Sequence, residues 1–302
     1  MAKGFPAPVK DKNKAQFKLD GFPSVYYINL DDHSERREYM EDQFRYWGIE
    51  NYTRISAHDG RGDNDLSEVL KGTYPKMMTS GEVGCVTSHL KALKHWLENT
   101  DEEYLVVMED DCDISTVAHW GFTWKEFMSN TPYHFDCIQL AIINPSELHV
   151  KMHLRFVNDF STACYIIRRH HAEKLVRLHC RGDKYKLDQN VKPRAVADDL
   201  IYNSGLTFAC PLFLYKIELG SSIHDIHVNV FHKSSHEGMW SFWKNSAPNI
   251  KDWSQFFEYD PYFGTLPPNV HMKAVMEQQK QEQGGWCPFF CDIINSICEA
   301  ST

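Results

Sequence analysis

Tyr104-Leu105-Val106-Val107-Met108-Glu109-Asp110-Asp111-Cys112-Asp113 is an apolar run that ends in four acids within five residues. Its unbroken apolar stretch predicts a short strand buried on both faces, the kind found in sheets that helices cover. In open α/β sheets ligands bind beyond the carboxyl ends of the strands, so the acids fall where a substrate would lie. Extended backbone alternates its side chains, which places Glu109, Asp111 and Asp113 on one face and Asp110 on the other. Carboxylates converging there repel each other unless a positive charge sits among them, and a hard divalent cation holding a phosphorylated ligand meets that need. A hydrated acidic surface loop is the competing reading, because charge clusters at element ends are common.

The flanking sequence has α/β organisation. Val25-Tyr26-Tyr27-Ile28-Asn29-Leu30 reads as a strand, and Ser34 as the cap of a helix whose apolar positions Met40, Phe44 and Trp47 precede a C-cap at Gly48. A strand feeding an amphipathic helix opens a βαβ unit, with Arg36 and Arg37 in the first helical turn, where a phosphate at the strand end could be reached, although an Arg pair on an exposed helix face is more often solvated. Residues 51–79 are polar and Gly-rich and read as a long loop with one short helix near Leu66–Leu70. A second helix begins at Ser80, buried along Val83, Val86, Leu90, Leu93 and Leu97. Glu82, Cys85 and His89 share an adjacent stripe of it. A thiol nucleophile there would be poorly exposed and without an oxyanion hole, so the stripe reads as polar groups that orient a site. Further strands are expected at 135–143, 162–167 and 206–215, the last at a sheet edge because of Pro211. Helices are expected with Ala172, Leu175 and Leu178 on one face, and at Ala197–Tyr202.

Composition sets outer bounds. At 302 residues, with 42% hydrophobic and 13% aromatic residues, the chain can bury a large core and is not disordered throughout. A net charge of -9 argues against a nucleic-acid surface. Residues 1–22 read as a basic flexible tail without the apolar segment of a signal peptide, and no run is long enough to cross a membrane, which together suggest a cytoplasmic protein. Nine scattered cysteines read as free thiols in a reducing compartment rather than a disulfide framework. His224, His227, His232 and His236 lack the paired cysteines of a zinc module. A single histidine completing a carboxylate metal site is more economical. The closing Trp286–Cys298 stretch offers one apolar helix face, for packing on the domain or for peripheral contact with a partner or membrane.

Tyr27-Ile28-Asn29-Leu30-Asp31 with Arg36, Ala57-His58-Asp59-Gly60, Ser80-Gly81-Glu82-Val83-Gly84-Cys85 with Ser88-His89, Met108-Glu109-Asp110-Asp111, Ala163-Cys164-Tyr165-Ile166-Ile167 with Ala172-Glu173-Lys174-Leu175, and Ala197-Asp198-Asp199-Leu200 occur in a fixed order. In that order and rough spacing the chain resembles glycosyltransferase family 25, which contains lipopolysaccharide and procollagen galactosyltransferases. The likeness covers about residues 24–230. It implies an α/β fold of GT-A type, a Rossmann-like sandwich with a mixed, mostly parallel sheet flanked by helices. Its domain would span 23–235, with 236–302 a C-terminal extension. It also implies an inverting transfer of galactose or glucose from a UDP-sugar to a hydroxyl of a glycan, lipid-linked saccharide or protein, with Mn2+ or Mg2+. Within that likeness Asp111, then Asp113 and His224, would hold the metal. Glu109 and Asp110 would hold the ribose or fix the geometry, and Asn29, Leu30 and Arg36 would contact the nucleotide. Glu82, Ser88 and His89 would shape the donor pocket, and Asp198, with Asp199 as alternate, would be the base. Asp113 rests on strand alternation alone, and Arg168-Arg169 is more basic than the family pattern. Two rival classes remain: a non-catalytic nucleotide-sugar or glycan-binding protein on the same fold, and a zinc protein built on the histidines.

Overall fold

The computed structural model describes residues 13–62, 64–144, 149–187, 195–219 and 232–257. The chain divides into two compact units, Met1–Asp260 and Pro261–Thr302, and the described residues all belong to the first. The basic residues Lys3 to Lys12, His224, His227 and the Cys- and Phe-rich tail lie outside the described residues.

The strands, in chain order, are β1 Val25–Asn29, β2 Tyr52–Ser56, β3 Tyr104–Glu109, β4 Cys112–Asp113, β5 Cys137–Gln139, β6 His153–Leu154, β7 Cys164–Arg168, β8 Cys180–Arg181, β9 Lys184–Tyr185, β10 Thr207–Ala209 and β11 Leu214–Tyr215. Seven of them form one mixed sheet in the order β2-β1-β3-β7-β5-β10-β6. β1 pairs in parallel with β2 and β3, β7 runs antiparallel between β3 and β5, β10 is parallel to β5, and β6 closes the far edge antiparallel to β10. β1, β2, β3, β5 and β10 therefore point the same way.

The apolar runs are long because both faces of the sheet are covered. Along β1, β3 and β7, Val25, Tyr27, Val106, Met108, Cys164 and Ile166 face one core, while Tyr26, Ile28, Leu105, Val107, Tyr165 and Ile167 face the other. The first is closed by helix α1, Ser34–Trp47, through Met40, Phe44 and Trp47, and by α3, Trp124–Asn130. The second is closed by α2, Ser80–Asn99, by α4, Arg169–His179, and by α5, Ala197–Tyr202. Each buried Val, Leu or Ile contributes about 1.5–3 kcal/mol, more than the roughly 1 kcal/mol net of a ladder hydrogen bond, so burial fixes where β3 lies. Described residues between 236 and 257 join the first core: α6, Lys233–Ser241, brings Met239, and Trp243, Phe256 and Phe257 pack with Trp120, Phe122 and Phe127. Among the described residues no helix is long and apolar enough to cross a membrane, and Cys85, Cys112, Cys137, Cys164, Cys180 and Cys210 are free thiols.

Several local expectations are corrected. Residues 52–56 form an edge strand rather than loop, its polar sequence matching an exposure pattern in which only Ile55 is buried. The N-cap positions are His33 for α1, without a side-chain capping bond, and Thr79 for α2, not Ser34 and Ser80; Thr79 and Glu82 make a reciprocal capping box. Leu178 is exposed, because successive steps of three residues drift around a helix, and His179 takes the buried place. β10 lies inside the sheet between β5 and β6: Pro211 falls after its last paired residue, so no ladder bond is lost. Gly48 does end α1 in the left-handed conformation, at φ 70°.

One tight approach positions the site. A Cβ on Gly60 would lie 1.9 Å from the Ser80 carbonyl oxygen, and one on Gly84 would lie 2.6 Å from that of His58. The loop 57–61 and the first turns of α2 thus meet backbone to backbone. Gly60→Ala is expected to destabilise the protein by about 1–3 kcal/mol, the usual cost of overpacking, read as a lowered denaturation midpoint. A variant as stable as wild type would show that the loop can retreat from the helix.

Candidate active site

The carboxyl ends of β1 and β3, the loop 57–61 and one face of α2 border an open cleft. Asn29, Leu30, Arg36, Ser88, His89, Glu109, Asp110 and Asp111 all line it, joined by His58, Asp59, Arg61 and Cys85.

The acids at the end of β3 are held differently from one another. Asp110 is buried and accepts from Asn29 Nδ2 at 2.8 Å and from Arg36 Nη1 at 2.5 Å. The Arg36 guanidinium is not solvated: it also lies 3.8 Å from Asp111 Oδ2 and donates to the Leu219 carbonyl at 3.0 Å. Burial opposes its charge, yet Asp110 and Asp111 hold its pKa above the usual arginine value. Glu109 Oε1 accepts from Thr162 Oγ1 at 2.6 Å and lies 3.4 Å from His89 Nε2. Burial pushes this carboxyl up, but His89, Thr162 and Arg36 outweigh it and leave it below the usual carboxylate range. Asp111 goes the other way, pushed up to about 8 by burial and by the charge of Glu109. Its Oδ1 is buried without a hydrogen-bond partner. A buried, unpartnered carboxylate oxygen on a residue that lines the cleft is the hard oxygen donor that Mg2+ or Mn2+ takes, so Asp111 fits one ligand of a divalent cation.

Asp113 departs from the expectation. The chain turns at Asp110–Asp111 before β4, so strand alternation stops at Glu109. Asp113 accepts from the Ser115 backbone N–H at 2.8 Å, pairs through β4 with β11, and does not line the cleft. Its reading as a metal ligand is thereby left without geometric support. Glu82 is also off the cleft lining, its carboxylate accepting from the Thr79 N–H at 2.8 Å in the capping box. His224, the third metal ligand expected, lies outside the described residues. The Arg168-Arg169 pair is engaged at the opposite end of the sheet, Arg168 with Glu103 at 3.0 Å and Arg169 with the Glu102 carbonyl at 3.2 Å.

Neither acid of the pair on α5 lines the cleft, but Asp198 stands near enough to Glu109 to feel its charge. It accepts from the Ser161 N–H at 3.2 Å, and burial, with smaller contributions from Glu109 and Asp199, raises its pKa to about 6. Asp199 instead accepts from Asn203 Nδ2 at 3.2 Å along its own helix. Ser161 is held at φ 97°, a left-handed conformation strained for a serine. Gln139 Nε2 and the Tyr202 hydroxyl both donate to its carbonyl, at 2.9 and 3.0 Å. The buried trio Asn144, His153 and Asp159 anchors the preceding turn.

Sequence reasoning gave no role to His58, Asp59 and Arg61. Arg61 binds Asp59 at 2.7 Å and Asp32 at 2.6 Å, and His58 bonds Thr87 at 2.9 Å. Burial, then Lys91, lowers the His58 pKa to about 4, which keeps the ring neutral. The signal available was Gly60, a glycine in the short His58-Asp59-Gly60 run, where close backbone approach requires one.

The sequence profile described as "Glycosyltransferase family 25 (LPS biosynthesis protein)" matches residues 22–189 of the chain. No curated protein matches its sequence. Among solved structures the chain is similar to the "Crystal Structure of A197 from STIV", with 10% identity over 63% of this chain and 82% of that one, and a TM-score of 0.35.

Proposed function

The chain belongs to glycosyltransferase family 25 and is a glycosyltransferase, and from that premise we propose that it moves a hexosyl group, galactose or glucose, from a UDP-sugar to an acceptor hydroxyl with inversion. The unpartnered Oδ1 of Asp111 carries this reading. A divalent cation at Asp111 would neutralise charge developing on the leaving diphosphate. Asn29 and Arg36 hold Asp110 beside it, so the carboxylates keep one arrangement while the nucleotide lies against Asn29, Leu30 and the loop 57–61. Glu109 fixes the ribose side of the cleft through its bonds to Thr162 and His89. Asp198 takes the proton from the acceptor hydroxyl on the opposite face of the sugar; a pKa near 6 leaves it ionised at neutral pH and basic enough to accept. The acceptor is a glycan, a lipid-linked saccharide or a protein.

A panel of nucleotide-sugars assayed for nucleotide release tests the reading. A UDP-sugar is expected to give UDP only with Mn2+ or Mg2+, and to stop when EDTA is added. Metal-independent release, or release only from sugars on another nucleotide, would overturn the donor and metal assignment.

A further inference from the structure

We propose that Cys85, His89 and Glu109 form a binding site for a zinc-class transition-metal ion, chemically distinct from the hard oxygen site at Asp111. Cys85 and His89 stand one turn apart on α2 and so share a face, while Glu109 closes on them from the end of β3. The thiol, one ring nitrogen and one carboxylate oxygen all lie within 4.8 Å of one another. Ligands around a tetrahedral zinc sit about 3.5 Å apart, given bonds of roughly 2.0–2.3 Å, so a small inward adjustment closes the set. Elsewhere in the described residues no other such group of His, Cys, Asp and Glu converges.

The surroundings suit a metal. His89 is fully buried, with Nδ1 3.1 Å from the Tyr165 hydroxyl, which turns Nε2 toward Glu109. A ligating imidazole characteristically has its second nitrogen fixed in this way. Thr162, on β7's approach, orients the Glu109 carboxylate. All three residues line the cleft, so the fourth coordination position opens into it, the pattern of three protein ligands plus an exchangeable one. Sulfur and imidazole donors select Zn2+ or Co2+ over Mg2+ and Mn2+, which favour oxygen. On binding, the metal–sulfur bond replaces the thiol S–H, and that proton passes to buffer.

Cobalt titration of the full chain tests the site independently of any transfer reaction. One Co2+ per chain is expected, with thiolate-to-cobalt charge-transfer absorption, displaced by one equivalent of Zn2+ but not by a hundredfold excess of Mg2+. Cys85→Ser is expected to weaken zinc at least tenfold and abolish the band; Cys180→Ser, at another partly exposed thiol, and Asp111→Asn are expected to retain both. If Cys85→Ser fails to fold by circular dichroism, His89→Gln is expected to give the same tenfold loss. Zinc held equally well by the folded Cys85→Ser or His89→Gln protein, or a cobalt complex without the band, would overturn the site. Because Asp111→Asn removes metal-dependent UDP release but not this absorption, failure of one assignment is separable from failure of the other.

Discussion

Asp111→Asn is expected to lower metal-dependent UDP release at least a hundredfold, the scale on which removing one group that stabilises developing charge acts, and to weaken Mn2+ binding measured by calorimetry. Loss of folding is not the expected cause. In metal-free protein, burial and the charge of Glu109 disfavour the ionised Asp111, raising its pKa to about 8, against about 3.9 in an unfolded chain. The folded state then holds the proton more tightly than the unfolded one. Its stabilising contribution is complete below about pH 4 and is lost as pH rises through about 8. Wild-type protein freed of metal should lose stability across that window, whereas Asp111→Asn, neutral throughout, should show a shallower decline and melt no lower than wild type at pH 9. An Asp111→Asn protein that retains Mn2+-dependent UDP release at wild-type rates would sink the metal assignment.

Asp198→Asn carries the second large effect. Removing a general base costs about 10²- to 10⁴-fold in rate, and the loss is expected in kcat, with donor KM little changed, because Asn retains the acceptor of the Ser161 N–H bond. The raised pKa sets the pH profile. Asp198 must be ionised to accept a proton, so wild-type turnover should fall as pH drops through about 6, and this acid limb should vanish from the residual activity of the variant. Asp199→Asn, which keeps an oxygen that can accept from Asn203 Nδ2, should cost far less. A profile flat through pH 6, or an Asp199 variant more damaged than Asp198→Asn, would move the base elsewhere.

The parts of the fold legible in the chain are those with local period. β1, β3 and β7 are runs too apolar for anything but a doubly covered sheet, and α1 and α2 show their stripes with Met40, Phe44, Val83, Leu90 and Leu93 all buried. β2 escaped because an edge strand with one buried residue has no apolar pattern to read. Both cap positions fall one residue before the serines: at α2 the reciprocal bond to Glu82 decides for Thr79 over Ser80, and at α1 the position goes to His33, which makes no side-chain capping bond. Asp113 falls off the cleft lining because the chain turns at Asp110–Asp111, where the period of two no longer holds.

At the site, the residue types and their order were present in one dimension: acids closing β3, an acid pair opening α5, a histidine and a thiol one turn apart on α2. What each carboxylate does depended on contacts distant in sequence. Arg36 reaches Asp110 across 74 residues, Asn29 reaches it across 81, and Ser161 meets Asp198 across 37. The opening strand-and-acid stretch by itself determined that charge gathers at the end of a buried strand, because apolar pattern and covalent adjacency are local. Only the tertiary structure decided that Asp110 is paired, Asp111 is left with an unpartnered oxygen and Asp113 is turned away. Side-chain direction at a turn, and the solvation of each carboxylate, are set by which other elements pack against it.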